Sequence, residues 1–200
     1  MISGLLLLAL AAEPTVVLPT SSPLGALIQP GVYGELRLAR DPATKRLTGH
    51  FSSSTGEGKF SCIFQFEGKP EAKGNTVQVE SWFPAEPKER IAGTLTVTAA
   101  DAFSLTLKEE HGGCWNVQHF ADAKDPATFS LDAAKPWVAL RVVKQKKAKF
   151  FSDASAAKPK AAFLVIGDVV GVLEQKGEWL SVEFVGERTT TGWMPKSAFF

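Results

Sequence analysis

The sequence predicts an all-β protein: an N-terminal antiparallel meander, closed as a barrel or sandwich, followed by a second, smaller β unit. Three observations predict it. Apolar and polar residues alternate at period two over most of residues 31–132, as half-buried strands require. Turn-forming Gly, Pro, Asn and Asp recur at short intervals. No stretch shows the three-to-four-residue apolar spacing of an amphipathic helix.

The strands can be read off in order. Val32, Leu36 and Leu38 alternate with Tyr33, Glu35 and Arg37. Leu47 and Phe51 alternate with Thr48 and His50, so His50 is placed on an outward position. Phe60, Cys62, Phe64 and Phe66 share one face, and Val77 and Val79 share another. Ile91, Leu95 and Val97 alternate with threonines, and Phe103, Leu105 and Leu107 with Ser104, Thr106 and Lys108. Two further short strands are expected at 114–120 and 128–131. The many inward Phe and Leu residues predict an interior filled by side chains. Ser54 to Lys59 glances at a phosphate-binding loop, but Ser53 and Phe60 stand where Gly and Ser/Thr are required, so a hairpin turn is expected.

Composition bounds the function. The chain has 200 residues, 44% hydrophobic and 22% charged, which leaves room for one large or two small globular domains. A net charge of +1 argues against a dedicated nucleic-acid binder. The charge is unevenly placed: residues 13–136 carry net −3 and residues 137–200 net +4. Residues 133–136, which end in Pro136, are the expected linker between a first domain at 31–132 and a second at 137–200.

Residues 5–12 read LLLLALAA, the apolar core of a secretory signal peptide, with Ala9 and Ala11 supplying a small-x-small cleavage site. Residues 1–12 are therefore expected to be a signal peptide and 13–30 a leader that does not pack. No Lys or Arg precedes Arg37, so a short buried apolar segment is the competing reading. Pro14 and Pro19 interrupt the stretch before it reaches the ~20 apolar residues of a transmembrane anchor. Cys62 and Cys114, an even pair in a chain expected to be exported, predict one disulfide and a periplasmic or secreted location. Two buried free thiols are the alternative.

The last 64 residues carry the most specific pattern. Gly167 and Asp168 precede Val169 to Leu173, Gly177 and Trp179 open Leu180 to Val185, and the chain ends in Gly192-Trp193-Met194-Pro195-Lys196-Ser197-Ala198-Phe199-Phe200. Over nearly all of residues 137–200 this resembles the bacterial SH3-like (SH3b) family, which implies a small SH3-like barrel of a kind that usually binds and rarely does chemistry. Gly192-Trp193-Met194-Pro195 and Phe199 also resemble the ending of animal SH3 domains. That resemblance implies a groove lined by Trp179, Pro195 and Phe199, with Phe150 and Phe151 as rough substitutes for the family's first-strand tyrosines. Trp193 and Phe163 are expected as core aromatics. The acidic loop that holds a Pro-rich peptide is replaced by Lys144, Lys146, Lys147 and Lys149. The expected ligand is therefore an acidic protein surface or an envelope glycopolymer. Upstream, Gly31-Val32-Tyr33-Gly34-Glu35-Leu36 and Leu47-Thr48-Gly49-His50-Phe51 loosely resemble avidin- or lipocalin-like meanders, and no ligand residues follow from that.

No catalytic constellation is legible. The sequence lacks a G-x-S-x-G elbow. His111, Cys114 and His119 fit no established zinc spacing, and Cys114 is expected to be spent on Cys62. No metal and no cofactor are expected. The resulting expectation is a non-enzymatic exported binding protein of the bacterial cell envelope, recognising a protein or peptidoglycan. An inhibitor or immunity protein against a periplasmic hydrolase is the alternative, and a peptidoglycan hydrolase with a targeting module a third.

Overall fold

A computed structural model describes residues 28–70 and 74–200. The expected signal peptide at 1–12, and residues 13–27 of the expected leader, lie outside the described residues. Among the described residues there is no α-helix, and the strands form two antiparallel sheets.

The first sheet is built from β1 (Gly31–Tyr33), β2 (Leu36–Arg40), β3 (Leu47–Thr55), β4 (Phe60–Pro70), β5 (Thr76–Trp82), β6 (Ile91–Ala99), β7 (Ala102–Leu107), β8 (Ala127–Ser130) and β9 (Ala133–Ala134). Each of β1 to β8 pairs with its neighbour in sequence, so this is the expected meander. Its two edges, β8 and β9, lie on one stretch of chain. Between them Leu131 N–H donates to Asp101 O and Asp132 N–H to Val32 O, both at 2.8 Å. The hydrogen bonding thus passes from β7 round to β1, and the sheet curls into a barrel-like shape. Ala133 and Ala134, expected within a linker, belong to this sheet. Ile28, expected in an unpacked leader, is buried in its core.

Aromatic rings fill the interior. Phe51, Phe64, Phe120 and Phe129 contact one another, and Tyr33 packs edge-on against Phe103 with centroids 4.9 Å apart. Phe66 needs Gly49 opposite it, because a Cβ there would come within 1.9 Å of the Phe66 ring. Cys62 and Cys114 are joined, as the sequence predicts. Cross-linking residues 52 positions apart removes chain entropy worth about 4 kcal/mol from the unfolded state. The bond pins the span 114–120 to β4, but as a 3₁₀ turn at Cys114–Asn116 and not the expected strand.

The second sheet contains β10 (Ala139–Val142), β11 (Ala148–Phe151), β12 (Pro159–Leu164), β13 (Val169–Lys176), β14 (Trp179–Phe184) and β15 (Thr190–Pro195), in the order β10-β13-β14-β15-β11-β12. After β15 a 3₁₀ turn at Lys196–Ala198 brings Phe199 onto Val143, and Phe200 N–H donates to Val142 O at 3.0 Å. That return occupies the outer edge of β10 and curls this sheet as well. Its core holds Ala148, Phe150, Leu164, Val170, Leu180, Val182, Met194 and Phe199.

A third apolar cluster joins the two sheets. Ala39, on the outer face of β2, packs with Trp137, Leu140, Val142 and Val169. Trp137 lies flat over Gly171, where a Cβ would come within 2.2 Å of its Nε1. Its N–H donates to Glu183 Oε2 at 2.9 Å, and its carbonyl accepts from Arg40 N–H at 3.1 Å. Lys135 pairs with the same Glu183 carboxylate. Arg37 reaches Val185 O at 3.2 Å, and Leu140 N–H donates to Thr48 Oγ1 at 2.9 Å. The second sheet therefore covers the outward face of β2 and β3. His50 keeps its predicted outward position, yet it is only 3% exposed, and its Nδ1 has no hydrogen-bond partner among the described residues.

Two measurements follow. Gly171→Ala should lower unfolding free energy by about 1–3 kcal/mol by overpacking against Trp137, read from urea denaturation; an unchanged midpoint would remove Trp137 from its assigned seat. Burial, reinforced by the Arg37 charge, holds His50 down at about 4. The unfolded histidine titrates near 6.5, so stability is intact above that pH. It falls by up to about 3 kcal/mol between pH 6.5 and 4, where only the unfolded chain takes the proton. Burial depresses His111 in the same direction, against the opposing charge of Glu110. His50→Gln should lose less stability between pH 7 and pH 4.5 than the wild type, and an identical loss would refute the assignment.

Candidate functional site

On the outer face of the second sheet, three of the five predicted ligand residues come together. Register fixes the arrangement. Trp179 on β14 pairs with Pro195 on β15, and Phe151 on β11 pairs with Trp193, which itself pairs with Ser181. Directly opposed residues of neighbouring strands point to the same side. Phe151 meets Trp179 edge to face, with centroids 5.2 Å apart. Phe151 and Pro195 also line a shallow groove of about 270 Å³, together with Gln145, Lys147, Lys149 and Ala198. All three predicted residues are half-buried: each rests an apolar flank on the sheet and leaves the remainder accessible.

The other two predicted ligand residues are core. Phe150 is 1% exposed and Phe199 3%. The cause of the first is phase: Ala148 and Phe150 point inward, while Lys149 and Phe151 point out. Phe199 is turned inward by its bridge to Val143. The reverse correction applies to two aromatics expected in the core. Trp193 is half-buried on the site face, because its neighbour Met194 takes the inward position. Phe163 on β12 is 47% exposed, opposite Lys149, and the Lys147 ammonium stands 4.3 Å from its ring centroid. Such a contact is worth roughly 0.5–1 kcal/mol at an exposed site. The face therefore presents aromatic rings on β14, β15, β11 and β12, with lysines at one side.

Sequence reasoning missed a serine–histidine contact in the first sheet. Ser81 Oγ donates to Ile91 O at 3.1 Å and lies 2.9 Å from His111 Nε2. The direction of the Ser81–His111 contact follows the tautomer of the imidazole. Ser81 is fully buried, and His111 stacks on Phe64 with centroids 4.9 Å apart. The neighbouring Glu110 carboxylate accepts from the Phe120 and Ala121 N–H groups, so it holds a loop and does not orient the imidazole. The pair links β5 to the loop that follows β7. Its only sequence signal is the phase of β5, on which Ser81 shares the inward face with Val77 and Val79.

A larger cleft, of about 900 Å³, lies between the sheets and includes Arg46, Glu67, Lys69, Glu80 and Arg141 in its lining. Much of its charge is internally matched: Arg46 pairs with Glu67, and Arg90 reaches Glu67 at 3.4 Å and Glu80 at 4.0 Å. Among the described residues, no group of three or more His, Cys, Asp or Glu is placed to hold a metal ion. No helix among them is long and apolar enough to cross a membrane.

The division between core and face is measurable. Phe150→Ala should cost about 3–5 kcal/mol of stability, as for a buried aromatic. Trp179→Ala, which removes a half-exposed ring, should cost clearly less in the same denaturant series. Equal costs would place Trp179 in the core.

Comparison with known proteins finds no matching family, no matching curated protein and no matching solved structure.

Proposed function

We propose that this chain is a non-enzymatic, exported binding protein of the bacterial cell envelope. In this reading its second unit, SH3b-like in pattern, holds an acidic protein or cell-wall component. The observation that carries the proposal is the grouping of Phe151, Trp179 and Pro195 on one face beside Lys147 and Lys149. Aromatic rings supply contact area at low entropic cost, and lysines at the rim attract an acidic ligand. The Cys62–Cys114 bond supports an oxidising compartment, where such bonds persist.

A second reading, as an inhibitor or immunity protein against a periplasmic cell-wall hydrolase, is favoured by one feature. Trp115 is 67% exposed on the turn that the disulfide pins. A pre-positioned Trp is the residue type most enriched among energetic anchors of protein interfaces.

Pull-down from envelope extracts and co-sedimentation with purified peptidoglycan test the first reading. Wild type should be retained, and Trp179→Ala should weaken retention roughly tenfold or more, the loss expected for an anchor residue. Absence of retention on every envelope fraction would overturn it. Inhibition of a co-purifying lytic enzyme that is lost in Trp115→Ala, with Trp179→Ala unaffected, would select the second reading.

A further inference from the structure

The positive charge of the second unit is concentrated on the hairpin formed by β11 and β12. Between Lys144 and Phe163 stand Lys144, Lys146, Lys147, Lys149, Lys158 and Lys160, against the single acid Asp153. This segment carries net +5 in a chain of net +1, so the rest of the protein is net −4. Asp153 is itself matched, with its carboxylate 3.9 Å from the Lys158 ammonium.

The same hairpin supplies an open sheet edge. In the first sheet both edges are drawn onto residues 127–134, and in the second the outer side of β10 takes the return of Phe199 and Phe200. Strand β12 pairs with β11 alone among the described residues, and Pro159 to Phe163 are exposed. Ala161 and Ala162 have side chains too small to shield the backbone. Lys160 is folded back, its ammonium donating to Thr191 O at 2.8 Å, and so does not stand guard over the edge. Beside the edge, the exposed Phe163 stands opposite Lys149 and carries the Lys147 ammonium over its ring.

From this juxtaposition we infer that β12 receives an extended acidic peptide segment of a partner protein as an added antiparallel or parallel strand. Backbone hydrogen bonding to β12 would supply affinity, and alternate carboxylates reaching Lys147 and Lys149 would supply selectivity. A second copy of this chain is the wrong occupant on charge grounds: two hairpins of net +5 would repel along the shared edge. The inference rests on the binding reading above and names its partner as acidic peptide.

The test uses the full chain and a capped heptapeptide of alternating Glu and Thr. Its companions are a Lys-for-Glu version, a version N-methylated at alternate residues, and polyphosphate of matched charge. The acidic peptide should bind and slow amide exchange within 160–163 roughly tenfold or more at saturation. N-methylation should weaken it about tenfold, and so should the double variant Lys147→Glu with Lys149→Glu. The lysine peptide should not bind. Equal affinity of the N-methylated peptide would overturn strand addition. So would complete displacement by polyphosphate with no change in β12 exchange, which would identify a polyanion site. Self-association that protects the same amides without any peptide would overturn the choice of occupant. Envelope retention that survives while the peptide fails refutes only this inference. Peptide seated on β12 without any envelope retention refutes only the envelope reading.

Discussion

At the centre of the joint between the two sheets stands a single indole. Trp137 follows the last strand of the first sheet by three residues and lies across Gly171 of the second. Its main-chain carbonyl accepts from Arg40 of the first sheet, while its ring nitrogen donates to Glu183 of the second. Glu183 is otherwise a costly group to bury, and it is kept satisfied by that N–H and by the Lys135 ammonium. The other contacts of the joint are grouped around this seat. Ala39 can be fully buried on an outward strand position because Trp137 and Leu140 pack against it.

That arrangement divides the surface by task. One outer side of the second sheet, at Glu183, is consumed in holding the first. The same side further along, at Trp179, is left open and lined with rings. The neighbouring hairpin carries the lysines. Burial, aromatic exposure and charge thus follow one another across a few strands; in the proposed binding role, a ligand drawn by the lysines would meet the rings next. The first sheet, with its filled interior and its disulfide, lies behind the joint that carries that surface.

Much of the fold was legible because period-two alternation is a local signal. The strands at Leu36, Phe64, Leu95 and Leu105 were placed by it, and the disulfide by the parity of two cysteines. What alternation cannot say is what lies against an outward face. Ala39 and Thr48 were therefore invisible as interface residues: their partners stand about 90 to 130 positions further along the chain. The site was half legible for a different reason. Family likeness nominated Phe150 and Phe199, but the phase of Ala148, Lys149, Phe150 and Phe151 already separates an inward from an outward ring. Met194 did the same for Trp193. Ser81 and His111 meet only because β5 lies beside the loop after β7, a pairing that no local pattern contains.

The meander topology sets the order in which chain entropy is lost. From β1 through β7, strands that pair are neighbours in sequence, so each closes a short loop at little cost. One joining step is long: β9 must find β1, and Asp132 must reach the N–H of Gly34, 98 positions away. The second sheet is wired differently, since β10 has to wait for β13, beyond the whole β11–β12 hairpin. Sealing the first sheet is also what delivers Lys135 and Trp137 to their places. The seat on which the second sheet docks is therefore completed by the same closure that joins the two ends of the first.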